Sequence, residues 1–254
     1  MIGVFDSGIG GLTVVKEMRR MMPDLSIIYL GDTAHLPYGN KSKDAIIDYS
    51  IKNTRFLIER DAEMVVVACH SSASVAQDEL KRSFKIPIIT VVEAGARAVA
   101  KLQPKKIGLI GTVATIESGG YIKHMRKEGV RAEIIARPCP LMVPIVEEGL
   151  TEGKIALDIV EHYLSDLERE EIDLLLLGCT HFPMLVQTIS KVLPGVRLID
   201  PGYEVAKEVS TSRHRKGDGS LTIYLTDLLP RFRQLSEQFL GWRIENITRV
   251  TLEE

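Results

Sequence analysis

This chain of 254 residues has little that points to a membrane or to a nucleic acid. Its longest apolar runs are far shorter than the roughly 20 residues that a membrane-spanning helix needs. A predicted strand begins at once, without the basic start and apolar stretch of a signal peptide. The 32 Lys and Arg nearly balance the 34 Asp and Glu, so the net charge of -2 gives no electrostatic reason for binding a polyanion. We therefore expect a cytoplasmic protein with neither a membrane nor a nucleic acid as partner.

Cysteine is scarce, and its number is odd. Only Cys69, Cys139 and Cys179 are present, which disfavours a structural disulfide in a reducing compartment and leaves reactive thiols as an option. Cys139 lies between two prolines and is predicted to be an inert buried thiol.

Complete nucleotide-binding motifs are also missing. The glycine-rich turn Asp6–Leu12 has Thr13 where the dinucleotide fingerprint requires its third glycine, and no lysine follows as in a phosphate-binding loop. The turn would still present backbone N–H groups to a small anion such as a carboxylate, with Asp6 pointing at that ligand. The alternative is that Asp6 and Ser7 only cap a helix.

What the chain does contain is a regular alternation of apolar strands and amphipathic helices, which predicts parallel βαβ units. The expected strands are Ile2–Phe5, Ile27–Leu30, Met64–Ala68, Ile88–Val91, Ile107–Ile110, Glu133–Ala136, Leu174–Leu177, Arg197–Ile199 and Leu221–Leu225. The expected helices include Leu12–Met22, Ser42–Glu59 and Lys154–Leu167, the last with an apolar face of Ile155, Ile159, Tyr163 and Leu167. A solvated loop is expected at Ser210–Ser220, with a basic patch as the alternative.

Two cysteines occupy matching positions about one hundred residues apart. Cys69 and Cys179 each follow a fully apolar strand and one small residue, which places both thiols at the carboxyl edge of a parallel sheet, where such sheets bind ligands. The strand at Ile2 and the strand at Ile107 match each other at a similar offset. We therefore predict an α/β fold of two related units, each a mostly parallel sheet flanked by helices, with both thiols facing one substrate.

The expected domain boundaries follow from this repeat. Residues 1–93 plus 208–254 form the first domain, which carries Asp6 and Cys69, and residues 94–207 form the second, which carries Glu147 and Cys179. Each cysteine is expected to begin a helix, whose N-terminus would lower the pKa of the thiol toward neutrality.

Several ordered motifs resemble those of the glutamate racemases, in the aspartate/glutamate racemase family. The resemblance covers essentially the whole chain and is carried by Phe5–Val14, Gly31–Ala34, Pro37–Gly39, Gly111–Thr115, Cys139–Leu141, Glu147–Gly149, Gly178–Pro183 and Thr226–Asp227. It implies a cofactor-independent racemase of two pseudo-symmetric α/β domains with the active site between them, often a homodimer. It also implies a role in supplying D-glutamate for bacterial peptidoglycan, and so in cell-wall biogenesis and cell shape.

The resemblance implies residue roles as well. The catalytic cysteines match Cys69 and Cys179, and groups that assist proton transfer match Asp6, Glu147 and His181. Substrate-contacting positions match Asp6, Ser7, Pro37, Tyr38, Gly39, His70, Ser71, Thr180 and His181. The chain departs from the family at Cys69-His70-Ser71, because the family usually has Cys-Asn-Thr there. His70 replaces a neutral amide by a titratable ring, which we expect to face the pocket and to titrate near pH 6.5.

Two thiols suit racemisation, because one group must remove the α-proton and another must return a proton on the opposite face. The chain shows no pyridoxal phosphate lysine and no recognisable metal set, so no cofactor is expected. The rival hypotheses are a zinc site of Cys69, His70, Cys179 and His181, a hydrolase with Cys69 as nucleophile, a racemase of another amino acid such as aspartate, and a non-catalytic amino-acid-binding module.

Overall fold

The structure is a computed structural model that describes residues 1–212, 217–228, 230–244 and 246–252. Its strands are β1 (Ile2–Asp6), β2 (Ile27–Gly31), β3 (Met64–Val67), β4 (Ile88–Thr90), β5 (Lys106–Gly111), β6 (Glu133–Pro138), β7 (Leu174–Gly178), β8 (Arg197–Ile199), β9 (Leu221–Leu225) and β10 (Ile247–Arg249). Its α-helices are α1 (Leu12–Met21), α2 (Lys43–Ile58), α3 (His70–Ser83), α4 (Val91–Leu102), α5 (Val113–Glu117), α6 (Gly120–Lys127), α7 (Met142–Glu147), α8 (Gly153–Arg169), α9 (Val186–Val192), α10 (Pro201–Thr211) and α11 (Phe232–Leu240). Short 3₁₀ helices span Tyr38–Asn40 and Phe182–Leu185.

The strands form two parallel sheets. A six-stranded sheet has the order β10-β9-β2-β1-β3-β4, and a four-stranded sheet has the order β6-β5-β7-β8. Strands β2-β1-β3-β4 of the first sheet therefore correspond to β6-β5-β7-β8 of the second. This confirms the predicted fold class of two related, parallel units flanked by helices, and β3 and β7, the strands before the two cysteines, occupy equivalent places.

The predicted strands lie where expected, with ends that differ by one or two residues. Strands β1, β3 and β7 are buried along their whole length, as their continuous apolar sequences predict. The sequence did not predict β10, because this edge strand is only three residues long and largely exposed.

The predicted apolar face of the helix near residue 160 is confirmed only in part: Leu167 is buried, and Ile159 and Tyr163 are partly buried against the core. The buried residues of α8 are Ala156, Val160, Leu164 and Leu167, whereas Ile155 is 54% exposed. Two overlapping apolar stripes run along α8, and periodicity alone does not say which stripe meets the core. Packing against α9 selects the one that begins at Ala156.

The expected loop at 210–220 is only partly a loop. Ser210 and Thr211 still belong to α10, while residues 213–216, which carry the proposed basic patch, lie outside the described residues. Beyond them, the Gly217 N–H donates to the Asp24 carbonyl at 3.1 Å and the Ser26 hydroxyl donates to Asp218 at 2.8 Å. These bonds anchor the segment that leads into β9.

The expected domain boundaries both fall inside helices, 93/94 in α4 and 207/208 in α10. These two helices pack on each other, and the Arg97 guanidinium of α4 donates two hydrogen bonds, of 2.7 and 2.6 Å, to Glu208 of α10. The division into 1–93 plus 208–254 and 94–207 stays a prediction.

Within the described ranges, no helix combines the length and the apolar character needed to cross a bilayer.

Candidate active site

A narrow cavity of about 40 Å³ lies between the carboxyl ends of the two sheets. The structure brings every sequence-predicted site residue to its wall. The lining consists of Asp6, Ser7, Gly8, Leu36, Pro37, Tyr38, Gly39, Cys69, His70, Ser71, Thr112, Val143, Glu147, Cys179, Thr180 and His181. The roles assigned to these residues from the resemblance stay predictions, but their convergence on one space is a structural fact.

Cys69 immediately precedes α3 and is buried at the edge of the first sheet. Burial, followed by the nearby carboxyl of Asp6, raises the pKa of the Cys69 thiol to about 11, although hydrogen bonds from Ser72 and Ser7 act in the opposite direction. The expectation that the helix N-terminus would lower this pKa is therefore wrong. Desolvation outweighs the helix because the thiolate is removed from water.

Asp6 ends β1 and lies at the wall of the cavity nearest Cys69. Its Oδ2 accepts the Gly8 N–H at 2.9 Å, and its Oδ1 is 3.4 Å from the donating hydroxyl of Thr180 in the second unit. Burial raises the pKa of Asp6 in spite of the opposing charge of His181 and these hydrogen bonds. The residue before α1 is Gly11, which has no side chain for capping, and hydrogen bonds from the backbone of Gly8 and Gly11 favour the charged form of Asp6.

Cys179 has a different environment from Cys69. The chain after it forms a turn and the 3₁₀ helix Phe182–Leu185, so the prediction that Cys179 begins an α-helix is wrong. Pro183 lies within the 3₁₀ helix, and no α-helix starts until Val186. The Cys179 Sγ instead lies 3.8 Å from Nδ1 of His181.

His181 connects Cys179 to a carboxylate. Its Nε2 is 3.1 Å from Oε1 of Glu147, which ends α7. Burial alone would lower the pKa of His181, but the hydrogen bonds and charges of Cys179 and Glu147 raise it to about 10. The imidazole is therefore positively charged at neutral pH.

The two units meet through short polar contacts around the cavity. The Thr13 hydroxyl donates to the Thr180 carbonyl at 3.1 Å, and the hydroxyls of Ser71 and Thr112 are 2.9 Å apart. Gly10 lies so close to the second unit that a Cβ there would overlap Thr180 Oγ1 and come within 2.6 Å of His181 Cε1. The glycine-rich turn Asp6–Leu12 thus lets the two units approach each other closely.

Tyr38 is held from behind the cavity wall. Its hydroxyl donates to the buried carboxylate of Asp32 and accepts a hydrogen bond of 3.0 Å from Asn53 Nδ2. The same carboxylate accepts from Thr226 at 2.8 Å and pairs with His35. This network orders the loop that carries Pro37 and Gly39.

His70 lines the cavity, as predicted, but it does not titrate as predicted. Burial, followed by the positive charge of His181, lowers the pKa of His70 to about 3. Nδ1 of His70 lies 2.8 Å from the Tyr121 hydroxyl. The ring is therefore neutral at every pH at which enzymes usually work, and the expected titration near pH 6.5 is wrong.

Sequence reasoning missed four residues of the lining, which are Gly8, Leu36, Thr112 and Val143. A signal for Thr112 was present, because the repeat that matches Ile2 with Ile107 also matches Ser7 with Thr112. Leu36 and Val143 carry no such signal, since apolar residues in loops or short helices usually only pack.

Within the described part of the chain, no group of three or more His, Cys, Asp and Glu side chains is arranged to hold a metal ion. In the proposed zinc set, one nitrogen of each histidine is engaged elsewhere: His70 Nδ1 lies at the Tyr121 hydroxyl and His181 Nε2 at Glu147.

The Asp/Glu/Hydantoin racemase family matches residues 2–209. The chain is 43% identical over 245 residues to the glutamate racemase of Aquifex aeolicus (strain VF5), covering 96% of this chain and 95% of that protein. It is 41% identical over 259 residues to a glutamate racemase of Thermus thermophilus, covering 100% and 97%.

Solved structures show the same architecture. The glutamate racemase of Francisella tularensis subsp. tularensis SCHU S4, in complex with D-glutamate, superposes with a TM-score of 0.92 at 35% identity, covering 99% of this chain and 97% of that one. The fold and the two-thiol cavity define a two-domain amino-acid racemase, an isomerase. This chain belongs to the Asp/Glu/Hydantoin racemase family.

Proposed function

We propose that this enzyme interconverts L- and D-glutamate by transferring protons between two thiols and the α-carbon. The observation that carries the proposal is the pair Cys69 and Cys179, which reach one cavity from the equivalent edges of two different sheets. A flat carbanion between two such groups can be protonated on either face, so one site serves both enantiomers.

Glutamate is favoured as substrate by the relatives. The racemases from Aquifex and Thermus are named for glutamate, and the Francisella structure holds D-glutamate. An Escherichia coli glutamate racemase, at 27% identity and a TM-score of 0.82, holds L-glutamate. Aspartate is the second candidate, but the solved aspartate racemase of Picrophilus torridus is only 19% identical and supports the fold alone.

The proton balance is simple. In one direction the thiolate of Cys179 takes the α-proton and becomes a thiol, while the Cys69 thiol gives its proton to the other face of the α-carbon and becomes a thiolate. In the reverse direction the two exchange roles. No bond other than S–H and C–H changes, and no electron is gained or lost.

The two thiols have different charged neighbours. The high pKa of Cys69 keeps it a thiol in the free enzyme, whereas Cys179 lies beside the positively charged His181. Asp6 has a raised pKa next to Cys69 and can hold a proton there. We propose that the pairs Asp6–Cys69 and His181–Cys179 supply and store the protons on opposite faces.

The remaining contacts orient the substrate. Ser7, Ser71 and Thr180 line the cavity with hydroxyl side chains, which would turn to a bound carboxylate, and preorganised donors of this kind stabilise developing charge. We further propose that the reaction needs no cofactor, that the enzyme acts in the cytoplasm as a homodimer, and that its D-glutamate supplies peptidoglycan synthesis in a bacterium.

The test is incubation with L-glutamate, D-glutamate or L-aspartate in D2O, followed by NMR of the α-position and by optical rotation. We expect α-deuteration and racemisation of both glutamate enantiomers and little reaction of aspartate. Cys69→Ala and Cys179→Ala are each expected to lower racemisation by about three orders of magnitude or more, the scale of a lost acid or base.

The matched control is Cys139→Ala, because Cys139 is a buried thiol that lies outside the cavity wall. This variant should keep activity close to that of the parent enzyme. Near-normal racemisation by either Cys69→Ala or Cys179→Ala would rule out the two-thiol mechanism, and deuteration of aspartate alone would reassign the substrate.

A further inference from the structure

His70 is held by a residue that does not line the cavity. Tyr121, near the start of α6, is completely buried, and its hydroxyl lies 2.8 Å from Nδ1 of His70. The same hydroxyl has a second, longer contact of 3.4 Å with the carbonyl oxygen of Val91. The ring centroids are 5.9 Å apart, so the short contact between polar atoms is the closest link between the two side chains.

The single proton of the hydroxyl can serve only one of these contacts. Hydroxyl hydrogen bonds are best at about 2.7–2.8 Å and weak at 3.4 Å, so the proton belongs on the side of His70. Burial, aided by the charges of Asp200 and Cys179, raises the pKa of Tyr121 well above its ordinary value, so the hydroxyl keeps that proton. Nδ1 of His70 is then an acceptor, and a neutral imidazole with an accepting Nδ1 carries its own proton on Nε2.

We propose that Tyr121 is a positioning residue that fixes His70 as the tautomer protonated on Nε2, and that this N–H donates to a carboxylate oxygen of the amino-acid substrate. Nδ1 is occupied by Tyr121, and the described residues provide no hydrogen-bond partner for Nε2 of this cavity-lining ring. The family usually has an asparagine here, so the tautomer restores a neutral N–H donor at that place. The inference rests on the proposed function only in requiring an amino acid as ligand.

The charges around His70 require this donor to be neutral. His181 is positively charged and acts electrostatically on His70, so a second cation in the same small cavity would be repelled. A neutral ring has one nitrogen that donates and one that accepts. A carboxylate in the cavity is attracted if the donating nitrogen faces it and repelled if the accepting nitrogen does. Tyr121 sets this direction from outside the site.

The first test needs no turnover. Nitrogen-15 NMR of labelled enzyme distinguishes the two neutral tautomers of a histidine, and His70→Asn identifies the signals of His70 by their loss. We expect the parent enzyme to carry the proton on Nε2 and Tyr121→Phe to show a mixture of tautomers. A proton on Nδ1 in the parent enzyme would overturn the proposal, whether or not glutamate proves to be the substrate.

The second test is a double-mutant cycle with whichever amino acid the enzyme racemises. Tyr121→Phe keeps the ring and removes only the hydroxyl, and we expect it to raise KM about 5- to 10-fold with kcat nearly unchanged, as for the loss of one positioned hydrogen bond. In a His70→Asn background the same change should leave KM unaltered, since an amide has no tautomer to fix. An equal rise of KM in both backgrounds would show that Tyr121 has only a structural role.

Discussion

The two histidines of the cavity differ in charge, one being a cation and the other neutral, although they line the same small space. His181 has a carboxylate and a sulfur as neighbours, so it is stabilised as a cation, with a pKa of about 10. His70 has a phenol hydroxyl and, among the described residues, no anion within bonding distance, so burial prevails and its pKa falls to about 3. Residue type alone did not decide these states, because Cys179 and Glu147 raise the pKa of His181 whereas burial and the charge of His181 lower the pKa of His70.

The low pKa of His70 has a consequence for stability in acid. The unfolded chain protonates this histidine below about pH 6.5, while the folded chain does not until about pH 3, so stability falls as pH decreases through this window. When the pH is lowered from 7 to 5, the free energy of unfolding of the parent enzyme should decrease because of His70. We expect the decrease in His70→Asn to be smaller by about 1–2 kcal/mol. Urea denaturation at the two pH values measures this, and parallel losses in both proteins would contradict it.

The high pKa of His181 predicts the opposite behaviour in base. Its contribution to stability is complete below about pH 6.5 and is lost as pH rises through about 10. Glu147→Gln removes one of the two partners that raise this pKa, so we expect His181 to titrate at a lower pH by NMR and kcat to fall about 10-fold.

Glu148→Gln is the control for this variant, because the neighbouring Glu148 binds Arg231 on the surface rather than a histidine. It should leave the titration of His181 unchanged. If Glu147→Gln also leaves that titration unchanged, the Glu147–His181 contact does not set the charge of the site.

At the scale of elements, the turn between β1 and α1 brings the two units together. Three of its features do this: the absent side chain at Gly10, the hydroxyl of Thr13 and the carboxylate of Asp6, each of which meets Thr180 or its neighbour His181. Thr13, the position at which the turn departs from a nucleotide-binding fingerprint, contacts the second unit.

We therefore expect Gly10→Ala to displace the segment after β7 and to lower both activity and stability. The added Cβ would overlap Thr180 Oγ1 and crowd His181, and overpacking of this kind typically costs about 1–3 kcal/mol. Thermal unfolding measures the loss. In Gly8→Ala, from the same turn, the nearest atom to the added Cβ is 3.5 Å away, so this control should lose much less stability, and equal losses would contradict the argument.

At the scale of the whole molecule, the site is a narrow cavity between the two units. Residues of both units line it, from Asp6 and Cys69 in the first to Glu147 and Cys179 in the second. Because the cavity wall is drawn from both units, a bound substrate would link them.

We expect either enantiomer of glutamate to stabilise the enzyme against heat. At a ligand concentration 100 times Kd the gain is about 2.7 kcal/mol, which corresponds to roughly 5–10 °C for a chain of this size. The variant with both Cys69→Ala and Cys179→Ala allows the measurement without turnover, and L-lysine serves as the control ligand. An unchanged melting temperature in saturating glutamate would contradict the proposed substrate.

The sequence by itself determined the architecture and the members of the site. Continuous apolar strands such as Leu174–Leu177 can only be buried on both faces, so they required parallel sheets, and the repeat around Cys69 and Cys179 required two equivalent units. The resemblance of the motifs to a known family then gave the residues that line the cavity, except Gly8, Leu36, Thr112 and Val143. These properties follow from patterns within short stretches of the sequence.

Only the tertiary structure decided the chemical state of those residues. The thiol of Cys69 gains a raised pKa because it is removed from water beside Asp6, and the helix expected after Cys179 is replaced by a turn that places His181 at the sulfur. The buried face of α8 was likewise selected by its neighbour α9. Desolvation, partner charge and packing depend on segments distant in sequence, so no local pattern contains them.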